Sequence, residues 1–205
     1  MLSLHQVQCL RGERELFKDI DLSLKPGELL RVEGPNGSGK TSLLRIVSGL
    51  SAPASGEIRW HNERIDELSE EYYRDLLYIG HAAAIKDELT ALENLELTLQ
   101  LSGELRTSTN AKQVLSDAGL KDRLHLPAKY LSQGQRQRVA LARLCLSKQP
   151  LWILDEPFTA LDVGAVSWVA GLVAKHLDSD GIVVFTTHQH VAIPGHAPRQ
   201  LKLTT

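Results

Sequence analysis

Gly34-Pro35-Asn36-Gly37-Ser38-Gly39-Lys40-Thr41 is a glycine-rich loop that fits the pattern G-x-x-x-x-G-K-[ST]. The apolar residues 29–33 before it predict a short buried strand, and residues 41–48 after it predict a helix that ends at Gly49. Strand, glycine-rich loop and helix in this order are the context in which the pattern binds nucleotide phosphates. The alternative, a glycine-rich turn before a helix, leaves the Lys-Thr pair unexplained.

The chemistry of this loop suits a triphosphate. Successive backbone N–H groups curl around an anion, and the N-terminus of the helix adds partial positive charge. Lys40 reaches the β- and γ-phosphates, and the Thr41 hydroxyl is a ligand for Mg²⁺. The candidate nucleotide-binding residues are therefore the loop residues and Ser42, which follows them in the first helical turn.

Composition narrows the function classes. The chain has 205 residues and a net charge of −2, which argues against a dedicated nucleic-acid binder. Its two cysteines, Cys9 and Cys145, suggest a reducing compartment without a disulfide framework. No apolar run approaches the length of a membrane-spanning helix. If the chain serves transport, we expect another polypeptide to supply the channel.

The pattern along the chain predicts an α/β fold, with a phosphate-loop core, an antiparallel β subdomain near the N-terminus and an inserted helical subdomain. We expect one domain over residues 1–205, with 1–85 and 149–205 forming the core and 86–148 the helical insertion. The sheet of the core is expected to be parallel or mixed. The core segments after the insertion are a strand at Leu151–Leu154, a helix over 164–177 and a strand at 182–187.

Three helices are predicted in the insertion. The first starts with the capping box Thr90–Glu93 and ends at Ser102-Gly103, and the second covers 110–118 and is closed by Gly119. The third begins at Ser132, and its apolar positions are expected to form one buried side: Val139, Leu141, Ala142, Leu144 and Cys145.

Two carboxylates, Asp155 and Glu156, directly follow the predicted strand Leu151–Leu154. In a phosphate-loop fold, ligands bind at the carboxyl ends of the strands. We expect Asp155 to hold Mg²⁺, directly or through water, and Glu156 to polarise the attacking water. An acidic turn after a buried strand is the alternative.

Ser132 opens a predicted helix in the segment Leu131-Ser132-Gln133-Gly134-Gln135. Taken alone, it reads as an N-cap. A helix N-terminus with a serine hydroxyl and a glycine amide is also an anion site, so both interpretations stay open.

Together these motifs resemble the ATP-binding subunits of ABC transporters over essentially the whole chain. Leu131–Gln135 is similar to the L-S-G-G-Q signature, with Gln133 in place of the first glycine. Thr159–Asp162 resembles the dimer-contact loop of that family, and His188 its switch histidine. The order and spacing of all five elements make the resemblance specific.

The resemblance implies an ATPase that converts ATP and water to ADP and phosphate as a head-to-tail homodimer. Lys40, Glu156 and His188 are then the catalytic residues. Ser132, Gly134 and Gln135 belong to the nucleotide site of the opposite subunit, where Ser132 and Gly134 contact the γ-phosphate. A metal cluster built on His188, His190 and His196 is a weaker alternative, because no cysteine or acidic ligand is close in sequence.

Two positions depart from the family pattern. The aromatic residue that usually stacks on adenine is replaced by Arg11, whose guanidinium can itself stack on a base, while Phe17 is expected to pack in the core. The usual glutamine of the loop before the insertion is replaced by His81. Imidazole is a poorer ligand for Mg²⁺ than an amide carbonyl, so we expect His81 to act through water or as a hydrogen-bond donor, or to be a neutral loop residue.

Within the family, the stretches 76–81, 85–86, 89–94 and 151–162 resemble most the ATP-binding subunit of the bacterial cytochrome c biogenesis transporter, the haem exporter. That resemblance implies multispanning inner-membrane partners, a peripheral location on the cytoplasmic face of that membrane, and no nucleic-acid partner. A helix of the partner would enter the cleft around 81–88. An exporter of lipoproteins, peptides or drugs is the first alternative, and a non-transport ABC ATPase is the second.

Overall fold

Two β-sheets and a group of helices make up residues 1–68, 70–101 and 108–204, the part of the chain that the computed structural model describes. The strands in chain order are β1 (Leu2–Arg11), β2 (Arg14–Leu24), β3 (Leu29–Glu33), β4 (Ser55–Trp60), β5 (Glu63–Arg64), β6 (Leu76–Ile79), β7 (Leu151–Leu154), β8 (Ile182–Thr186) and β9 (Arg199–Lys202). The α-helices are α1 (Lys40–Val47), α2 (Ile65–Leu68), α3 (Glu70–Asp75), α4 (Ala91–Leu101), α5 (Ser108–Leu115), α6 (Gln133–Leu141) and α7 (Val163–Asp178).

The smaller sheet is antiparallel and has the strand order β2-β1-β4-β5. Its strands carry alternating apolar side chains, and those of β1 and β4 point into one core with helix α1. Phe17 on β2 is only 5% exposed and belongs to this core, as its sequence context predicts. The N-terminal antiparallel β subdomain is therefore present.

The larger sheet is parallel, with the order β6-β7-β8-β3-β9. Strands β3 and β7 have the predicted bounds, and β8 ends one residue earlier than expected, at Thr186. Every residue of β7 and β8 is buried, since helices cover both faces of the sheet. The carboxyl ends of the five strands meet at one edge, where the phosphate loop follows β3.

The helical insertion packs around its own apolar cluster. The predicted capping box is present at the start of α4, because Thr90 N donates to Glu93 Oε2 at 2.7 Å and Glu93 N donates to Thr90 Oγ1 at 3.2 Å. The predicted end of this helix at Ser102-Gly103 lies outside the described residues. Helix α5 continues into a π-helical turn, Ser116–Leu120, in which Gly119 takes a positive φ of 76° and ends the helix as predicted.

The third predicted helix is shorter than expected. Helix α6 ends at Leu141, and Ala142–Cys145 forms a 3₁₀ turn. Val139, Leu141 and Leu144 are buried as predicted, but Cys145 is only half-buried. The reason is its position on a cavity of about 600 Å³ between the insertion and α7, which also exposes Trp168 and Lys175.

His176 on α7 makes stability depend on pH. Its ring stacks on Trp152 with centroids 3.8 Å apart, and burial lowers the pKa of His176 to about 4 from 6.5. Between these values the unfolded chain binds the proton and the folded chain does not, so stability is lost as the pH falls from 6.5 to 4. We expect the free energy of unfolding to decrease by about 1–2 kcal/mol over this range, allowing for partial exposure of the ring.

Urea unfolding at pH 7 and pH 4.5 measures this loss. The His176→Gln variant is expected to lack that part of the pH dependence, whereas His61→Gln, at an exposed histidine, retains it. An identical pH dependence in His176→Gln and the unmodified chain would contradict the assignment.

Candidate nucleotide-binding site

An open cleft of about 320 Å³ lies where the parallel strands end. It brings together many of the predicted site residues, namely Arg11, Asn36, Gly37, Gly39, Lys40, Thr41, Ser42, His81, Asp155, Glu156 and His188, and it also contains Leu16. Gly34, Pro35 and Ser38 belong to the same loop behind this lining. Ser132, Gly134 and Gln135 do not line the cleft.

The phosphate loop wraps around the start of α1. A Cβ on Gly34 would lie 2.7 Å from the carbonyl oxygen of Leu203, and Gly39 has a φ of 97°, so both positions require glycine. No side chain caps the N-terminus of α1, which leaves its first N–H groups directed at the cleft. Lys40 Nζ donates to the carbonyl oxygens of Gly34 (2.8 Å) and Pro35 (3.1 Å). The loop is thus held in the conformation that an anion needs.

Asp155 is buried and has one carboxylate oxygen engaged and one free. Oδ1 accepts a hydrogen bond of 2.7 Å from Thr186 Oγ1, while Oδ2 has no hydrogen-bond partner among the described residues. Thr186 Oγ1 also accepts from the backbone N–H of Glu156 at 2.9 Å. The Thr186 hydroxyl therefore fixes both acidic residues, a role that the sequence pattern did not predict.

The donor set of the cleft fits Mg²⁺. The orphaned Oδ2 of Asp155 and the hydroxyl of Thr41 are hard oxygen ligands, and Mg²⁺ takes few protein ligands when nucleotide phosphates complete its shell. His81 offers nitrogen only, and it lies on the same cleft. Within the described ranges no three histidine, cysteine or acidic side chains are grouped for metal binding, and His196 Nε2 lies 3.0 Å from Asp178 Oδ1.

Glu156 and His188 lie side by side on the lining of the cleft. His188 Nε2 is 3.3 Å from Glu156 Oε1, which otherwise has no hydrogen-bond partner in the described part of the chain. Thr159 Oγ1 lies 3.4 Å from the other carboxylate oxygen, Oε2. Glu156 lines the cleft and is held there by these two neighbours, and its φ of 53° shows that the turn after β7 is constrained.

The signature segment forms a separate surface. Ser132 caps α6 in a reciprocal capping box, in which Gln135 N donates to Ser132 Oγ at 3.2 Å and Ser132 N donates to Gln135 Oε1 at 2.9 Å. A Cβ on Gly134 would lie 2.4 Å from the carbonyl oxygen of Ala160. The predicted dimer-contact loop therefore packs directly on the signature, and only glycine fits between them.

Arg138 links these two segments, and sequence reasoning missed it. From α6 it pairs with Asp162, the N-cap of α7, and its Nη1 donates to the carbonyl oxygen of Ala118 at 3.2 Å. A hydrogen bond from the Ala165 N–H, together with the charge of Arg138, lowers the pKa of Asp162. The partnership is not readable from sequence because 24 residues separate the two side chains.

Comparison with known proteins places this geometry in a family. Residues 17–159 match the family model described as ABC transporter. The chain is 51% identical over 203 residues to the cytochrome c biogenesis ATP-binding export protein CcmA of Dechloromonas aromatica, covering 99% of this chain and 100% of the relative. It is 50% identical over 196 residues to the protein of the same description from Nitrosospira multiformis, covering 96% and 95%.

Solved structures agree with this result. The dimeric structure of a bacterial ABC transporter cassette superposes with a TM-score of 0.84 at 30% identity, covering 99% of this chain and 94% of the cassette. A dimeric post-hydrolysis state of an ATP-binding cassette bound to ADP and Pi gives a TM-score of 0.79 at 30% identity, covering 92% and 88%.

Proposed function

The chain belongs to the ABC transporter family and is an ATP-binding subunit of such a transporter. We propose that it powers a membrane complex of c-type cytochrome biogenesis, with haem as the cargo. The observation that supports the catalytic part is the cleft that gathers Lys40, Asp155, Glu156 and His188. The similarity to cytochrome c biogenesis export proteins supports the choice of process.

The site residues divide the work of hydrolysis. The loop amides and Lys40 hold the triphosphate, while Thr41 and Asp155 hold Mg²⁺, which supplies charge neutralisation of the phosphate oxygens when bound. Glu156 accepts a proton from the water that attacks the γ-phosphorus, and the bond from that phosphorus to the bridging oxygen of ADP breaks. His188, beside Glu156, contacts the γ-phosphate in its own cleft.

A second copy completes each site in this proposal. The signature residues Ser132 and Gly134 do not line the cleft of their own chain, yet Ser132 is exposed at the start of α6. In a head-to-tail dimer they cap the γ-phosphate of the opposite subunit. Both faces present N–H donors, so they need the negative charge of the nucleotide between them. ATP then closes the dimer, and hydrolysis opens it.

The substitution Ser132→Arg tests the contribution in trans. We expect it to lower ATP turnover at least tenfold, because a long cation replaces a small cap at the dimer face, while ATP binding to the monomer is retained. Steady-state phosphate release and equilibrium ATP binding separate the two effects. The matched variant Ser179→Arg, at the exposed C-cap of α7, is expected to keep normal turnover. Undiminished ATP turnover in Ser132→Arg would contradict the contact between the signature serine and the γ-phosphate of the opposite subunit.

The coupling to the membrane partner runs, in this proposal, through the loop before the insertion. Asn94 on α4 accepts from Lys86 N at 2.8 Å and donates to the carbonyl oxygen of Lys86 at 3.0 Å, so the loop and the insertion are tied together. A cavity of about 170 Å³ lies beside this contact, lined by Gly80, Ile85 and Arg143 among others. A helix of an inner-membrane partner that places one side chain in this cavity would be moved by closure of the dimer.

Peripheral association with the cytoplasmic face of the bacterial inner membrane follows from this partner. Among the residues that the structure describes, none of the helices is long and apolar enough to cross a bilayer. The net charge of −2 gives no support to a nucleic-acid partner.

Capture of binding partners from detergent-solubilised membranes tests whether the chain serves c-type cytochrome biogenesis. A Glu156→Gln variant, held closed by ATP, is used as bait, and bound proteins are identified by mass spectrometry. Recovery of cytochrome c biogenesis membrane proteins supports the proposal. Recovery of a different multispanning permease would support the ATPase mechanism but contradict haem as the cargo. Recovery of soluble partners alone would indicate a non-transport ABC ATPase.

A further inference from the structure

The nucleotide cleft lacks an aromatic platform for the base. Its lining in the described chain contains no phenylalanine, tyrosine or tryptophan, and Phe17 is buried beneath Gly39. The hairpin between β1 and β2 contributes only Arg11 and Leu16 to the lining. Apart from the guanidinium of Arg11, the lining from one subunit therefore offers little that can stack on adenine.

Tyr130 presents an aromatic ring close to the signature. It is the last residue of the 3₁₀ turn Ala128–Tyr130, two positions before Ser132, and it is 65% exposed. Two residues of chain span at most about 7 Å, so the Cα atoms of Tyr130 and Ser132 lie within this distance, and both side chains are exposed.

The backbone beneath this ring is well anchored. The N–H groups of Ala128 and Lys129 donate to the carbonyl oxygens of Leu89 (2.8 Å) and Asp87 (3.1 Å), and Tyr130 N donates to Pro127 O at 3.0 Å. Lys129 Nζ lies 5.0 Å from the centroid of the tyrosine ring, on one of its faces. An anchored, positively flanked aromatic ring at the signature surface is suited to a nucleotide.

We propose that Tyr130 of each copy stacks on the adenine bound in the cleft of the other copy, so that base recognition is supplied in trans. This inference rests on the proposed head-to-tail dimer. When Ser132 meets the γ-phosphate, Tyr130 lies on the same surface and faces the ribose and base that extend from it. The exposed ring becomes covered only in the closed dimer, and adenine gains this aromatic contact only when closure occurs.

The test uses the Glu156→Gln variant as its background, because the ATP-bound dimer is expected to accumulate in this variant. Light scattering measures the nucleotide concentration for half-maximal dimerisation, first with ATP and then with ribose 5-triphosphate, which has no base. Adding Tyr130→Ala is expected to raise the ATP midpoint roughly tenfold, from the usual contribution of base–aromatic stacking, and to leave the ribose 5-triphosphate midpoint unchanged. Tyr130→Phe restores the ATP midpoint because it keeps the ring. Tyr73→Ala, at another exposed tyrosine, leaves it unchanged.

The outcomes separate this inference from the proposed function. Failure of Glu156→Gln to dimerise with ATP would overturn the head-to-tail mechanism itself. Normal dimerisation with the same ATP midpoint in the Tyr130→Ala variant would overturn only base recognition by Tyr130. An equal shift with ATP and ribose 5-triphosphate would also overturn it, because the ring would then contact protein rather than adenine.

Discussion

Glu156→Gln is expected to lower ATP turnover by about 10²–10⁴-fold, the range for loss of a general base. The amide has nearly the same shape as the carboxylate, so the contacts with His188 and Thr159 are kept while the proton acceptor is lost. ATP binding is retained because the phosphate loop is unchanged. The ATP-bound dimer therefore accumulates.

Phosphate release and light scattering with ATP measure the two parts of this result. Glu28→Gln is the matched control, because Glu28 pairs with Arg199 at the opposite end of β3 and does not line the cleft. Turnover of Glu156→Gln equal to that of the control would show that Glu156 is not the base. Loss of turnover without accumulation of an ATP-bound dimer would instead contradict the head-to-tail mechanism.

The parts of the fold that were predictable from sequence are those set by local patterns. Apolar runs bounded by turn residues gave the bounds of β3 and β7, and the capping signals at Thr90 and Ser132 located two helix starts. These features depend on residues within one or two helical turns of each other, so a single stretch of sequence contains all the information. The prediction that the third helix of the insertion continues to Cys145 was wrong, because the 3₁₀ turn at Ala142–Cys145 keeps a helical spacing of apolar residues.

The features of the site that the sequence missed depend on contacts between distant segments. Thr186 reaches Asp155 only because β7 and β8 are neighbours, with Leu154 opposite Phe185. Arg138 reaches Asp162 only because α6 packs against the loop before α7. Motif spacing identifies which residues carry the chemistry, but it does not show which side chains hold them in place.

Lys40→Ala is expected to weaken ATP binding by about 10–10²-fold. An ammonium has three donors, and Lys40 uses two of them on the carbonyl oxygens of Gly34 and Pro35, which leaves one for phosphate. Alanine removes the positive charge that faces the triphosphate. It also removes the two hydrogen bonds that hold the phosphate loop. Each charge-assisted hydrogen bond contributes about 1.5–3 kcal/mol, and every 1.4 kcal/mol corresponds to tenfold in affinity.

The loss of charge and the loss of loop structure have different signatures. Lys40→Met keeps the apolar stem in its buried position, so it is expected to lose ATP affinity as severely as Lys40→Ala while unfolding closer to the temperature of the unmodified chain. Equilibrium ATP binding and thermal unfolding, with the exposed Lys25→Ala as a control, measure both quantities. Strong ATP binding by Lys40→Met would show that the ammonium only braces the loop and that the amides of α1 carry the phosphate affinity. Equally weak binding by both variants, with a larger loss of stability in Lys40→Ala, would assign the affinity to the charge.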